Sequence, residues 1–443
     1  MSDYLWNKTG LESPDDEVMA FLSGEDLVLD WTLLMFDIQA SAAHANGLRL
    51  IGILSVEENQ QLQGALETLA EQVHAGQRVL DAQFEDGHSA LEAWLTEMLG
   101  PLGARIHTGR SRNDQVAVVM RLYLRHQLDM LAGLCARIAD TCLERAGREA
   151  GLAIPGHTHL QKAMPSSAGL WLAGHAEAFI DNCAFAKQVG SCVDASPLGT
   201  ASGFGVNLPL AREQVAAELG FPRLVVNPQY AQNSRGKMEL MALSALAAAT
   251  LDLRRLAWDL SLFSSEEFDY LRLPGRYCTG SSIMPNKTNP DVVEMLRATH
   301  PVVQGAQAEL SELLSLPSGY QRDLQASKAP VLRAFARALQ ALSLVPRLVG
   351  DFSWNEPGLA ASMTPAMFAT DRATEQAAAG TPFRDAYRAV AESLSGLTEV
   401  DARKSLSERV SPGACGKLML DELSARLEAL QGARKDRQGM PGN

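Results

Sequence analysis

The 443-residue chain is poor in aromatic side chains, in positive charge and in long apolar runs. Phe, Trp and Tyr make up 6% of it while 46% is hydrophobic, so aliphatic side chains must fill the core, which favours helices. Lys and Arg number 39 against 52 Asp and Glu, and the net charge of −13 argues against nucleic acid or an anionic membrane as main partner. No segment looks transmembrane and the first residues lack a signal-peptide pattern, so a cytoplasmic protein is expected.

Signatures of cofactor and metal sites are missing as well. The six cysteines lie mostly in helical-looking stretches without metal-ligand spacing, so free thiols are expected. The chain has no G-x-G-x-x-G fingerprint, Walker loop, H-E-x-x-H pair or G-x-S-x-G elbow. The sequence therefore predicts neither an organic cofactor nor a metal.

Helical periodicity is what the chain has in abundance. No proline occurs between Pro101 and Pro155 or between Pro228 and Pro274, and each gap carries a broad apolar stripe at helical spacing. Further helices are predicted at about residues 166–194, 291–315 and 327–350. Such long, widely apolar helices predict an all-α protein whose central bundle continues into other subunits.

The same patterns suggest a division into three domains. Residues 1–107 are expected to form an N-terminal helical domain, 108–350 the long-helix bundle, and 351–443 a small C-terminal helical domain broken by prolines. Ser55 begins a capping-box pattern for one helix of the first domain. The best strand candidate is residues 223–226, bounded by prolines.

Four polar stretches interrupt the helical pattern. The first, residues 107–115, contains Arg110 and Arg112, whose guanidinium groups suit carboxylates. Ser111 or Asn113 could cap the helix that follows, and a capped helix start is the alternative interpretation.

The second polar stretch is residues 156–161, which includes His157, Thr158 and His159. Two histidines at i and i+2 cannot share a helix face, which weakens a zinc interpretation and leaves acid–base work by one of them. Solvated loop histidines are the alternative.

The third stretch is residues 280–294, where two prolines forbid one continuous helix and a new helix is expected near Pro290 or Asp291. The fourth, residues 320–328, gathers donor side chains just before a helix. For both, an exposed polar connection is the alternative. Residues 85–88 and 233–235 are, taken alone, more typical of structure than of catalysis.

These stretches resemble a known family. Gly280-Ser-Ser-Ile-Met-Pro-Asn-Lys-Thr-Asn-Pro290 resembles the signature loop of the fumarase/aspartase superfamily, whose members eliminate an amine or water from a succinyl group and release fumarate. Residues 107–115 are similar to the argininosuccinate lyase branch, and residues 156–161 and 320–328 fit that branch in the same order. The resemblance implies reversible cleavage of argininosuccinate to arginine and fumarate, in arginine biosynthesis. It also implies a homotetramer with active sites shared between subunits.

The resemblance further implies residue roles. Ser281 matches the base that removes the succinyl β-proton, and Lys287 and Asn289 match the residues that bind its carboxylate. His159 matches a histidine paired with Glu294; whether it or a water it holds protonates the leaving nitrogen stays open. Thr158 matches a neighbouring site residue, and the matched substrate-binding positions are Ser111, Arg112, Asn113, Tyr320, Gln325, Lys328 and Arg235.

The chain also departs from the family pattern. Asn286 and Thr288 stand where the branch usually has Gln and a second Lys, and His157 stands where it usually has Tyr. The family's N-terminal substrate-binding serine has no clear counterpart, and Ser23 and Asp26 both lie near its position. Two alternatives follow: another fumarate-releasing lyase acting on a different succinylated amine, or a catalytically silent structural protein like the related lens crystallins. The presence of Ser281 and Lys287 argues against the silent alternative.

Overall fold

The computed structural model describes residues 15–81, 83–398 and 401–438. It is 68% helical with few strands, which confirms the all-α prediction. The helices are α1 (Asp16–Ser23), α2 (Asp26–Leu50), α3 (Val56–His74), α4 (Gly87–Leu99), α5 (Pro101–Ala104), α6 (Arg112–Arg148), α7 (Ala168–Val193), α8 (Arg212–Glu218), α9 (Pro228–Asn233), α10 (Lys237–Phe263), α11 (Asp291–Arg297), α12 (Thr299–Leu313), α13 (Lys328–Asp351), α14 (Glu356–Ser362), α15 (Ala369–Ala378), α16 (Phe383–Glu392), α17 (Ala402–Glu408) and α18 (Leu420–Gln438).

The chain divides into two compact units, each drawn from three segments. Unit 1 comprises Met1–Asp129, Ala186–Ala245 and Gln304–Ala336, and unit 2 comprises Met130–Phe185, Leu246–Val303 and Arg337–Asn443. Helices α6, α7, α10, α12 and α13 carry residues of both units. The three domains expected from the sequence stay a prediction.

The long helices follow the proline-free stretches as predicted. Helix α6 runs for 37 residues and α10 for 27, and α7 and α13 match the helices expected near 166–194 and 327–350. The helix expected over 291–315 is instead divided, because α11 ends at Arg297 and α12 begins at Thr299. Pro301 lies in the first turn of α12, where its missing N–H costs no hydrogen bond.

The core of unit 1 includes an aliphatic cluster from α2, α3 and α4, in which Leu48, Leu62 and Leu91 are buried. Helix α3 begins with the predicted capping box, in which the Ser55 hydroxyl accepts the Glu58 N–H and the Glu58 carboxylate accepts the Ser55 N–H. This cluster packs α2 against α3 and α4. The first residues of α2 and the residues just before α4 contribute to the site described below.

The strand predicted at residues 223–226 is wrong. Leu224 forms only an isolated parallel bridge with Ser196. The groups that would extend it bond elsewhere, because the N–H of Leu198 donates to Ser196 Oγ and Val225 O accepts from Arg212 Nη2. The strands present are short antiparallel pairs in unit 2: β1 (Ala153–Thr158) with β2 (Gln161–Ser167), β3 (Leu271–Arg272) with β6 (Ser353–Trp354), and β4 (Thr279–Gly280) with β5 (Thr288–Asn289).

The β1–β2 hairpin covers an aromatic-rich core in unit 2. Tyr270 is buried there, with Trp171, Phe263 and Trp354 packed around it. Across the described ranges, no helix combines the length and the apolar character needed to cross a membrane.

Candidate active site

Most of the predicted substrate-binding residues lie around one cavity of unit 1. Its lining includes Arg112, Asn113, Arg235, Tyr320, Gln325 and Lys328, together with Asp26, Glu85, Asp86, Val116 and Arg322. Ser111 precedes Arg112 in the sequence but does not line the cavity. The cavity therefore brings together side chains from three segments that are far apart in sequence.

The start of α6 presents the first of these residues. The Ser111 hydroxyl accepts the N–H of Asn113 at 3.3 Å, and its own N–H donates to Asp114 Oδ1 at 2.9 Å. The second Asp114 oxygen accepts the N–H groups of Gly199 and Ala201, each at 2.9 Å. Ser111 is thus the predicted helix cap, and this capping fixes the two residues that follow it at the cavity.

Arg112 is held by two buried carboxylates that precede α4. Its Nη1 lies 3.0 Å from Glu85 Oε2, and its Nε lies 3.1 Å from Asp86 Oδ2. Burial opposes the charge on the guanidinium, but Asp86 and Glu85 raise the pKa of Arg112 above its usual value. Residues 85–88, which the sequence suggested were structural, therefore supply the groups that orient a predicted substrate-binding side chain.

Lys328, the first residue of α13, is 4% exposed and has two carboxylate partners. Its Nζ lies 2.7 Å from Asp30 Oδ1 and 3.2 Å from Asp26 Oδ1. Burial opposes the charge of Lys328, but Asp30 and Asp26 raise its pKa. Asp26 was placed by the sequence, with Ser23, only near the position of the family's N-terminal substrate-binding serine, and Asp30 was not predicted as a site residue.

Other donors complete the cavity. The Arg235 guanidinium lies over the Tyr320 ring, 4.9 Å from its centroid, and its Nη1 is buried with no hydrogen-bond partner in the described part of the chain. Gln325 Nε2 donates to the backbone oxygen of Leu22 at 2.7 Å. A buried guanidinium nitrogen without a partner is suited to an anionic group of a ligand.

The signature loop lies in unit 2 and is closed by strands β4 and β5, in which Thr279 pairs with Asn289 and Gly280 with Thr288. The Ser281 hydroxyl oxygen accepts the N–H of Met284 at 3.0 Å and the N–H of Ile283 at 3.3 Å. Two N–H donors directed at one oxygen favour its anionic form. Ser281 is thus held by its own loop.

The rest of the loop is more open. Lys287 is exposed and Asn289 half-buried, and the backbone N–H of Lys287 donates to Met284 O at 3.1 Å. The next helix, α11, begins at Asp291 as predicted. Glu294 is exposed on α11, and its Oε1 lies 3.5 Å from Arg297 Nη2.

Thr158 and His159 lie at the tip of the β1–β2 hairpin. Thr158 pairs with Gln161, so His159 and Leu160 form a two-residue turn, with φ values of 57° and 58°. Type I′ turns require positive φ at both positions, where residues other than glycine are strained by about 1–2 kcal/mol each. The side chain of His159 is therefore displayed on a strained backbone at an exposed position.

The two histidines of this hairpin differ in environment. The His157 ring packs against Phe268 and Tyr270, with centroids 5.3 and 5.9 Å apart, and burial lowers its pKa. The His159 ring is exposed and has no hydrogen-bond or ion-pair partner among the residues that the structure describes. Its predicted pairing with Glu294 stays a prediction.

All six cysteines are free thiols. Within the described residues, no group of three or more His, Cys, Asp or Glu side chains could hold a metal ion.

Comparison with known proteins places the chain among lyases. A family model described as "Lyase" matches residues 11–305. Two solved structures share the fold: EDDS lyase in complex with formate (TM-score 0.78, 22% identity, 97% of this chain and 93% of that one) and class II fumarase from Schistosoma mansoni (TM-score 0.71, 17% identity, 93% and 94%). The fold and the signature loop thus define a lyase of the fumarase/aspartase type.

Curated relatives narrow this class. Argininosuccinate lyase from Stenotrophomonas maltophilia (strain R551-3) is 54% identical over 431 residues, which cover 97% of this chain and 100% of the relative. Argininosuccinate lyase from Xanthomonas euvesicatoria pv. vesicatoria (strain 85-10) is 54% identical over 432 residues, with the same coverage. The chain therefore belongs to the argininosuccinate lyase family.

Proposed function

We propose that this chain cleaves argininosuccinate to arginine and fumarate and catalyses the reverse addition. The observation that carries this proposal is the 54% identity to the Stenotrophomonas maltophilia enzyme over nearly the full length of both chains. The more distant solved structures support only the fold.

Ser281 is the proposed base. Its alkoxide takes a proton from the succinyl carbon next to a carboxylate, and the electron pair moves into that carboxylate as a doubly charged aci form. The C–N bond then breaks, the pair forms the double bond of fumarate, and the leaving guanidino nitrogen gains a proton, giving arginine. The N–H groups of Ile283 and Met284 at the Ser281 oxygen support this role, because they stabilise an alkoxide.

Lys287 and Asn289 are the proposed donors to the aci-carboxylate. Each such donor typically contributes about 10²–10³ in rate when it meets charge that develops in the transition state. His159, with Glu294 as its partner and Thr158 beside it, is the candidate for handling the proton of the leaving nitrogen. The His159 ring is exposed at a strained turn, where a substrate could reach it, and this supports the proposed role in proton transfer.

The unit 1 cavity is proposed to bind substrate. Argininosuccinate carries three carboxylates, and the cavity supplies guanidinium, ammonium and amide donors from Arg112, Asn113, Arg235, Gln325 and Lys328. Tyr320 contributes the ring on which Arg235 is stacked.

We infer a cytoplasmic homotetramer with active sites shared between subunits. Apolar side chains of long or signature-loop helices in unit 2 stay exposed in the single chain: Met130, Leu251, Trp258, Met295 and Leu344. Exposed apolar side chains on several long helices support the coverage of these helices by other subunits.

Fumarate release, followed by ultraviolet absorbance, tests the activity. We expect release from argininosuccinate and none from adenylosuccinate or malate. Release from only one of the latter two would overturn the substrate assignment, and release from none would favour the silent, crystallin-like alternative.

A further inference from the structure

Asp26 is the least well neutralised acid of the unit 1 cavity. It is the first residue of α2, is 8% exposed and lines the cavity. Its carboxylate shares Lys328 with Asp30, and the Nζ is nearer to Asp30, at 2.7 Å against 3.2 Å. The second oxygen of Asp30 also accepts the N–H of Gly87 at 2.9 Å. Asp30 therefore has two partners, Lys328 and the Gly87 N–H, whereas Asp26 has only the longer contact with the Lys328 that it shares.

The electrostatics of the cavity agree with this count. Burial raises the pKa of Asp26 to about 6 in spite of the attraction of Lys328, and repulsion from Asp30 and Asp86 adds to the rise. A cation that entered the cavity would therefore be stabilised by this carboxylate.

The cavity also contains an unsatisfied positive group. Arg235 lines the same cavity as Asp26, and burial lowers its pKa in spite of the attraction of Tyr320, Glu239 and Asp26. Its Nη1 is buried without a partner in the residues described. One cavity thus offers an acceptor for a cation and a donor for an anion, which together complement a zwitterion.

Argininosuccinate has one zwitterionic end. Its arginine half ends in an α-ammonium and an α-carboxylate, whereas its succinyl half carries carboxylates only. We propose that Asp26 binds the α-ammonium of the arginine half and so determines which amine the enzyme accepts. This inference rests on the proposed lyase activity.

The competing interpretation is that Asp26 only positions Lys328. Asp30 provides the matched control, because it holds the same lysine but is not part of the cavity lining. A positioning acid affects every substrate that uses Lys328, whereas an acid that contacts the ammonium affects only substrates that have one.

The reverse reaction separates these interpretations. Fumarate consumption is followed with arginine and with deaminoarginine, in which hydrogen replaces the α-amino group, for the wild-type chain, Asp26→Asn and Asp30→Asn. We expect wild type to prefer arginine by roughly 10- to 100-fold in kcat/KM, the range for a hydrogen bond between charged groups. Asp26→Asn should lose that preference by becoming slower with arginine while changing little with deaminoarginine. Asp30→Asn should slow both and keep the preference.

Three results would overturn or redirect the proposal. If Asp26→Asn lowers kcat/KM equally with arginine and with deaminoarginine, Asp26 is a positioning residue. A wild-type enzyme that has the same kcat/KM with arginine and with deaminoarginine excludes an ammonium contact, even if the variants do not fold. Failure of wild type to consume fumarate with either amine refutes the proposed lyase activity itself, independently of Asp26.

Discussion

The unit 1 cavity and the signature loop of unit 2 hold their charged groups in opposite ways. Lys328 is buried between two carboxylates in the cavity. Lys287 is exposed in the loop, and Ser281 receives its hydrogen bonds from the loop's own backbone. The buried charges of the cavity therefore contribute to the stability of the fold, whereas the exposed side chains of the loop contribute little to that stability. Substitutions in the cavity should therefore change stability and activity together, and substitutions in the loop should separate them.

Ser281→Ala should give the largest separation. Removing the proposed base should lower kcat by about 10²–10⁴-fold, the usual contribution of a positioned general base. Stability should change by no more than about 0.5 kcal/mol, because Ser281 lies in an exposed loop away from the core. The measurements are fumarate release and the thermal unfolding midpoint.

Ser282→Ala is the matched control, since it removes an exposed hydroxyl one position away. It should cost far less in kcat than Ser281→Ala. Near-normal turnover in Ser281→Ala would exclude this serine as the base, and a larger loss in Ser282→Ala would assign the base to its neighbour.

The two lysines test the comparison directly. Lys328→Met leaves Asp26 and Asp30 buried without their cation, so the free energy of unfolding should fall by about 3–5 kcal/mol. Lys287→Met should leave it within about 0.5 kcal/mol of wild type while lowering kcat about 10²–10³-fold. Denaturant or thermal unfolding, run beside steady-state kinetics, measures both effects.

Equal destabilisation by the two methionine variants would contradict the contrast between cavity and loop. A Lys287→Met enzyme with unchanged kcat would remove Lys287 from the proposed set of carboxylate donors.

The sequence predicted the elements that depend on local patterns. Long helices followed from proline-free apolar stripes, and the cap at Ser111 and the start of α11 followed from residues within one turn. The wrong strand at residues 223–226 had a distant cause, because the Arg212 side chain takes the Val225 oxygen that a longer strand would use.

The site was predictable to the same extent. The residues in compact motifs could be found, but Asp30, Glu85 and Asp86 could not, because their roles depend on ion pairs with Arg112 and Lys328. The pair Lys328–Asp30 joins residues 298 positions apart, and no local pattern marks such a contact. The positive φ of Leu160 was equally hidden, since glycine or asparagine would normally indicate that turn.

The pH dependence of stability should show the smallest effect and should arise in the cavity. The folded-state pKa of Asp26, about 6, lies above its ordinary value of 3.8, so the folded protein binds this proton more tightly than the unfolded chain does. The contribution of Asp26 is therefore fully present below about pH 4 and is lost as the pH rises through about 6. Neutral Asn cannot lose a proton, so Asp26→Asn should lack this loss.

We expect the unfolding midpoint of Asp26→Asn to rise relative to that of wild type as the pH increases from 5 to 7. The change over this range should correspond to about 1 kcal/mol in the free energy of unfolding. Ser281→Ala, whose side chain does not titrate in this range, should keep a constant difference from wild type. A constant difference for Asp26→Asn would show that Lys328 fully neutralises Asp26. The cavity would then have no unsatisfied acid to offer a substrate ammonium.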